Sequence, residues 1–143
     1  MKRVIRVLAW VGIMAFVALA LNETVFSRPA TENYNFIFRP FWSYEAIMNG
    51  RKDLIKEHYL NVAFFIPLGM LIWFGLRQRK WWWALVLGCL VSLLIEVMQL
   101  VMKRGMCEFD DVMHNTLGCM IGYGLVKVFA TLRKQSIVRA KDS

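Results

Sequence analysis

The sequence predicts an all-α, polytopic membrane protein with four transmembrane helices. Of its 143 residues, 58% are hydrophobic, and its mean hydropathy is +0.45, both high for a soluble domain. Four apolar runs each approach the ~20 residues with which a helix crosses a bilayer. Basic residues flank these runs, so the net charge of +8 fits membrane orientation better than nucleic-acid binding.

The four apolar runs are the predicted transmembrane helices, over residues 4–21, 59–76, 81–102 and 111–130. The first has a basic start and a small-residue site at 18–20, which would also suit a cleaved signal peptide. Its length favours a retained transmembrane helix. We expect a single domain over 1–143, with a loop at 22–58 and a basic, solvated tail at 131–143.

The loop at 22–58 carries an aromatic cluster around Pro40. Aromatic rings settle at the level of lipid head groups, so we expect an interfacial segment between the first and second helices. Residues from Trp42 to Met48 begin either a short helix lying on the surface or a loop packed on the helix bundle. The sequence leaves these two alternatives open.

The Lys and Arg residues predict which end of each helix faces the cytoplasm. If the N-terminus is inside, eleven of the 18 basic residues lie inside: Lys2, Arg3, Arg6, Arg77, Arg79, Lys80, Lys127, Arg133, Lys134, Arg139 and Lys141. The others fall mostly in the long loop, where they count for little. We therefore expect both termini in the cytoplasm, with the polar ends of the second, third and fourth helices facing outward.

Polar residues of the third and fourth helices follow helical spacing. The stripe on the third helix consists of Gly88, Ser92, Glu96, Gln99 and Lys103. The stripe on the fourth helix consists of Asp111, Asn115, Gly118 and Gly122. We expect Glu96 and Asn115 to face each other, and Lys103 or Arg104 to reach inward to Glu96 from the link between the helices.

The second helix adds Asn61 near its outer end and Pro67 and Gly69 in its middle. A proline bends a membrane helix and frees a carbonyl that neighbours must satisfy, and small residues let helices approach closely. We expect Pro67 and Gly69, together with Gly118 and Gly122, to serve packing. Asn61 joins the predicted outer polar pocket.

The ionisable residues at membrane depth indicate a functional site, because such groups are costly to bury. Polar contacts can also simply hold helices together, at about 0.6–2 kcal/mol each. An Asn or Gln would do this at a lower cost of burial than a glutamate. A metal site is less favoured because no ligand spacing supports it; its candidates are Glu96, Asp110, Asp111 and His114. The three cysteines form no CxxC, and no cofactor is expected.

Three pieces of the sequence resemble the VanZ-like family of bacterial membrane proteins. They are NVAFFIPLG at 61–69, the E-x-x-Q pair Glu96 and Gln99, and Arg104 followed by D-x-x-x-N-x-x-G from Asp111 to Gly118, with Gly122. The link EFDD offers two acids where the pattern emphasises one, and Asp111 fits best. The resemblance implies a small multi-pass protein of the bacterial cytoplasmic membrane. The founding member is associated with resistance to the glycopeptide antibiotic teicoplanin.

Two hypotheses of function follow from the pocket. In the first, a non-enzymatic protein binds the head group of a membrane lipid, a lipid-linked cell-wall precursor or a lipophilic antibiotic. Asn61, Gln99 and Asn115 would donate hydrogen bonds, and Arg104 would contact an anionic group while Glu96 and Asp111 orient it.

In the second hypothesis, an intramembrane enzyme modifies such a lipid. Glu96 would be the general acid or base, and Asp111 the second carboxylate. Arg104 would stabilise an oxyanion or phosphate. A transporter is less favoured because the polar groups are confined to the outer half of the helices. A homo-oligomer is compatible with either hypothesis.

Overall fold

The computed structural model describes residues 2–76 and 80–142 of the chain. It is 79% helical. In chain order the elements are α1 (Lys2–Leu21), a π-helical turn (Asn22–Phe26), β1 (Phe36–Ile37), α2 (Trp42–Met48), α3 (Asp53–Gly75), α4 (Trp82–Val101), β2 (Cys107–Glu108) and α5 (Phe109–Asp142). Arg77 and Arg79, which contribute to the predicted orientation, lie outside the described residues.

The predicted fold class is confirmed. Four helices of the described chain are long and apolar enough to cross a membrane: Arg3–Phe26, Asp53–Gly75, Trp82–Val101 and Phe109–Ala140. The short helix considered for the interfacial segment is present as α2. A pair of two-residue parallel strands is the one β element within the described residues.

Two helices extend beyond their apolar runs. α3 begins at Asp53 rather than at residue 59, and α5 continues to Asp142 rather than ending at residue 130. The added segments lack Gly and Pro and contain several strong helix formers, so nothing in them stops a helix. Hydropathy marks where a helix is apolar, whereas backbone propensity decides where it ends.

α3 is the central helix, because it packs along α5 on one side and against α1 on the other. The contact with α5 is made through three glycines: Gly69, Gly118 and Gly122. A Cβ atom added at Gly118 would overlap the Val62 carbonyl, and one added at Gly122 would overlap the Ile66 carbonyl. The backbones of α3 and α5 therefore touch, and we call this contact the α3–α5 seam.

The core joins all four long helices. It consists of Phe16, Ala20, Phe65, Leu68, Ile72, Trp73, Ala84, Ile95, Cys119 and Tyr123. Around it, each of the four long helices exposes large apolar side chains, among them Leu8, Leu60, Leu90 and Leu125. Exposed apolar side chains on every long helix suit contact with lipid.

The long loop is docked at one end of the bundle. β1 pairs with β2, so that Phe36 lies opposite Cys107, and the Cys107 amide donates to the Asn35 carbonyl at 3.0 Å. The Thr31 amide and hydroxyl both donate to the Lys103 carbonyl, at 2.7 and 3.0 Å. The loop thus covers the link between α4 and α5, and we call this the loop end of the bundle.

Candidate functional site

A cleft of about 860 Å³ lies between α1 and α3 at the loop end. Its wall is apolar and follows the two helices: Phe16, Leu19, Leu60, Ala63, Phe64 and Pro67. Its mouth is mostly polar: Glu23, Thr24, Arg28, Glu57, Asn61, Met106, Glu108 and Asp111. The volume lies in the usual range for small-molecule sites. Leu19 and Leu60 are 53% and 56% exposed, so the cleft opens at the molecular surface.

The π-helical turn brings polar residues to the mouth of this α1–α3 cleft. The turn continues α1 directly, and it carries Glu23 and Thr24. Thr24 also donates its hydroxyl to the Ala20 carbonyl at 2.6 Å. π-Helical turns are rare and are found frequently at functional sites.

Gln99 and Arg104 hold the π-helical turn in place from outside the cleft. Gln99 is buried, and its Nε2 donates to the Thr24 carbonyl at 3.1 Å. Arg104 Nη1 donates to the Phe26 carbonyl at 2.6 Å and to the Arg28 carbonyl at 3.1 Å. Both side chains therefore contact the backbone that carries the cleft residues, and neither lines the cleft.

Asn61 and Asp111 do line the cleft, and they bind each other. Asn61 Nδ2 on α3 donates to Asp111 Oδ1 on α5 at 2.7 Å. The hydrogen bond lies at the loop end of the α3–α5 seam, one residue before Val62 on α3 and two turns before Gly118 on α5. These are the two residues of the predicted pocket that the structure brings together at the cleft.

Glu96 lies behind the cleft and is 3% exposed. Its Oε2 accepts a hydrogen bond from the backbone amide of Glu108 at 2.8 Å, which holds the end of β2 against α4. The expected approach of Lys103 or Arg104 to Glu96 is not what the structure shows. Lys103 Nζ donates to the Glu32 carbonyl at 3.1 Å and lies 4.6 Å from the centre of the Tyr34 ring.

Asn115 fastens α5 to α4. Its Nδ2 donates to Ser92 Oγ at 2.9 Å, and both side chains are buried. Asn115 was expected to face Glu96. Its partner Ser92 lies one turn of α4 away from Glu96. The predicted residues separate into a pair at the cleft, Asn61 and Asp111, and a set behind it. Their roles in binding or catalysis stay predictions.

Asp110 has a structural partner that the helix stripes did not indicate. It is 1% exposed. Its Oδ1 accepts from the Phe41 amide at 2.7 Å, and its Oδ2 accepts from the Ser43 amide at 3.0 Å and the Ser43 hydroxyl at 2.5 Å. Phe41 has a left-handed backbone, with φ of 61°. Asp110 thus supplies, from a distant helix, the acceptor that the first turn of α2 needs.

An aromatic group connects α2 to α3 and α5. The Tyr44 hydroxyl lies 2.8 Å from His114 Nε2, and the rings of His58 and His114 stack with centroids 4.0 Å apart. Within the described residues, no group of three His, Cys, Asp or Glu side chains is arranged to hold a metal ion. Asp110 and His114, two of the four candidates for a metal site, contact α2 instead.

Glu108 is a cleft residue that the sequence did not single out. Its Oε2 accepts from Trp42 Nε1 at 3.1 Å. Burial, and after it the negative charge of Asp111, raises the pKa of this carboxyl to about 7, and the Trp42 hydrogen bond opposes the rise. Glu108 therefore changes charge near neutral pH.

Glu23, Arg28 and Glu57 are also cleft residues that were missed. Glu57 precedes Asn61 by four residues, so the two share a face of α3. That signal was hidden because the predicted helix began at residue 59. Arg28 lies in the loop, where spacing along the chain carries no information about which helix it approaches.

A bundle of four apolar helices with a polar cleft at one end defines a multi-pass membrane protein. The chain belongs to the VanZ/LLP1 family, whose model matches residues 4–130, and the resemblance of the motifs is thereby confirmed. Membership of this family associates the chain with glycopeptide resistance at the level of the family only. No curated protein and no solved structure matches the chain.

Proposed function

We propose that this protein lies in the bacterial cytoplasmic membrane with both termini inside and binds the head group of a lipid or lipophilic glycopeptide in the α1–α3 cleft. Such binding would contribute to tolerance of glycopeptide antibiotics of the teicoplanin type. One observation carries the proposal: the cleft combines an apolar wall along two membrane helices with a charged mouth at their loop end. An amphiphile has the same two parts in the same order.

The apolar wall suits the hydrocarbon part of such a ligand. From Leu60 to Pro67 the wall follows α3 for about 10 Å, at 1.5 Å per residue. That is about a third of the ~30 Å hydrocarbon thickness of a bilayer. Leu19 and Leu60 are exposed at the surface of the bundle, so a lipid can enter sideways from the membrane. The ligand's head would then lie among the polar groups at the mouth.

In this proposal the residues of the predicted pocket have different tasks. Asn61 and Asp111 contact the head group, because both line the cleft. Gln99 and Arg104 are positioning residues that hold the π-helical turn and Arg28. Glu96 and Asn115 keep β2 and α4 in place behind the cleft. The sequence predicted that Arg104 would bind the anionic part of the ligand. In this proposal Arg28 binds it instead, because Arg28 lines the cleft.

An enzyme acting on the same ligand is the second candidate. It is favoured by Glu108, whose pKa of about 7 suits a general acid or base near neutral pH. Asp111 lines the same cleft and supplies a second carboxylate. Glu108→Gln keeps the shape of the side chain and removes its acid–base chemistry. Full drug tolerance in this variant would remove the enzymatic candidate, whereas lost tolerance with unchanged ligand retention would favour it over simple binding.

The binding proposal is tested by narrowing the cleft. Leu60→Trp adds bulk to the wall, and Leu90→Trp is a matched control because Leu90 on α4 is also 56% exposed but does not line the cleft. The purified protein is delipidated gently in detergent, and retained lipid is counted by native mass spectrometry. We expect Leu60→Trp to reduce retention about tenfold, equivalent to ~1.4 kcal/mol. Equal retention by both variants would contradict the proposal.

A further inference from the structure

We propose that the cleft selects an amphiphile whose head carries a primary ammonium beside a phosphate, as in a phosphoethanolamine phospholipid. This inference rests on the proposed function and names its ligand class. It is drawn from the sign and placement of the charges at the mouth. The apolar wall accepts many chains, so the head group is where selection occurs.

The charges at the mouth are unequal. Among the described residues, four carboxyl groups line it, from Glu23, Glu57, Glu108 and Asp111, against the single guanidinium of Arg28, so the acids outnumber the base even when Glu108 is protonated. A purely anionic head group would meet more repulsion than attraction there. A head with a positive part and a negative part can satisfy both kinds of side chain.

Arg28 is suited to the phosphate. The ion pairs within the described residues are Arg39–Glu45 and Arg51–Asp53, and Arg28 belongs to neither. Its backbone carbonyl is held by Arg104, and its side chain passes over Gly105, where an added Cβ would lie 2.7 Å from Nη1. An arginine whose backbone is held in place can bind phosphate oxygens through two parallel hydrogen bonds from its guanidinium.

The carboxylates are suited to a primary ammonium. Glu57 shares a face of α3 with Asn61, and Asn61 donates to Asp111, so acceptors from α3 and α5 meet at one place. A primary ammonium has three N–H donors for such oxygens. A trimethylated ammonium has the same charge and no N–H donor, so it would bind the same carboxylates less well.

The test compares three phospholipids with identical acyl chains and different heads: ethanolamine, choline and glycerol. The full-length protein is offered each lipid in detergent micelles, and the bound fraction is measured by native mass spectrometry. We expect the ethanolamine lipid to bind about tenfold more tightly than the choline lipid, and the glycerol lipid to bind most weakly.

Two variants and their controls separate the two halves of the head group. Glu57→Gln should reduce the preference for ethanolamine over choline, whereas Arg28→Gln should weaken binding of all three phosphates. Glu45→Gln and Arg39→Gln are matched controls, because this exposed pair lies outside the cleft. Both controls should leave the binding of every lipid unchanged, and circular dichroism verifies the helical fold of each variant.

The outcomes distinguish this inference from the proposed function. If the three lipids bind equally and Leu60→Trp still reduces their binding about tenfold, the amine selectivity is overturned and the cleft remains a lipid site. If Leu60→Trp leaves the binding of all three lipids unchanged, the proposed function itself fails. An ethanolamine preference that survives both Glu57→Gln and Asp111→Asn would overturn the role of the carboxylates.

Discussion

The two sides of α3 are packed in opposite ways. Towards α5, Gly69, Gly118 and Gly122 bring the helix backbones into contact. Towards α1, the large side chains Phe16 and Phe64 meet with ring centroids 5.3 Å apart, and the helices leave a cleft at the loop end. One helix thus has a closed side that fixes the fold and an open side that is available to a ligand.

The difference shows how a small membrane protein can hold polar groups at the edge of the bilayer. Asn61 and Asp111 bind each other across the closed side and still line the open one. Because the seam sets the distance between α3 and α5, it also sets the position of this pair. Stability and the geometry of the mouth therefore depend on the same glycines.

The largest effect is expected when α3 and α5 are forced apart at the α3–α5 seam. In Gly118→Ala the new methyl group overlaps the backbone of Val62, so α3 and α5 must move apart. We expect a loss of roughly 3 kcal/mol or more in the free energy of unfolding, at the upper end for overpacking. Thermal denaturation of the detergent-solubilised protein measures it.

Gly124→Ala is the matched control for this experiment. It lies on the same helix, and nothing is within 4 Å of an added Cβ. Because alanine is the better helix former, we expect a gain of about 0.5–1 kcal/mol there. Equal destabilisation by both substitutions would mean that helix propensity, and not the seam, explains the glycines.

The next largest effect concerns pH at the open side. The pKa of Glu108 in the fold, about 7, lies above its ordinary value of 4.5. A raised pKa means that the folded protein binds the proton more tightly than the unfolded chain, so this contribution to stability is present below pH 4.5 and is lost as the pH rises through 7.

We therefore expect the apparent melting temperature to fall by several degrees between pH 5 and pH 8, with about 2–4 °C for each kcal/mol in a chain of this size. Glu108→Gln should flatten this fall, whereas Glu45→Gln, an exposed residue outside the cleft, should not. Asp111, Glu57 and Asp110 act on Glu108 through their charges, and all three are kept in both variants. An unchanged pH profile in Glu108→Gln would show that Glu108 is not the group responsible.

A smaller effect is expected from loosening the mouth. Arg104→Gln removes the hydrogen bonds to the Phe26 and Arg28 carbonyls. Because Arg104 is partly exposed, we expect a loss of about 1 kcal/mol, which raises amide hydrogen exchange in residues 22–28 roughly fivefold. Arg133→Gln, in the exposed part of α5, is the control. Unaltered exchange in Arg104→Gln would argue against a positioning role.

The smallest effect is expected between α5 and α4, next to the closed side of α3. Asn115→Ala removes the hydrogen bond to Ser92 between α5 and α4. Polar contacts between membrane helices average about 0.6 kcal/mol, so the loss should be of that order. The double variant with Ser92→Ala should lose little more than the single one, because the two side chains share one interaction. A strictly additive loss would show that Asn115 and Ser92 act separately.

The glycines of the closed side could be recognised from the sequence because their spacing is periodic, but their partner could not, since the stripe was expected to face the third helix and Gly118 and Gly122 pack on α3. Gly118 and Gly122 lie one turn apart, and the same spacing places Asn115 and Asp111 on their stripe. The number of long helices could also be predicted, because each is marked by a continuous apolar run of about 20 residues. Side-chain type repeated at helical spacing is information that a linear sequence contains.

The open side could not be predicted in the same way. Arg104 binds the backbone carbonyls of Phe26 and Arg28, and carbonyls are present at every residue, so no side-chain pattern marks them. Glu57 was overlooked because α3 begins in a charged segment that hydropathy excludes. The partner of Asp110, Ser43, lies 67 residues away and becomes visible only when the loop is folded over the bundle.

The most direct test of the central claim, that the α1–α3 cleft holds a selected amphiphile, is photocrosslinking in native membranes. A photoreactive phenylalanine analogue is placed at Ala63 in the cleft wall or at Leu90 on the lipid-facing side of α4, and the crosslinked lipids are identified by mass spectrometry. The account predicts that adducts at residue 63 are enriched in one head group, whereas those at residue 90 follow the composition of the bulk membrane. The same bulk composition at both positions would contradict it.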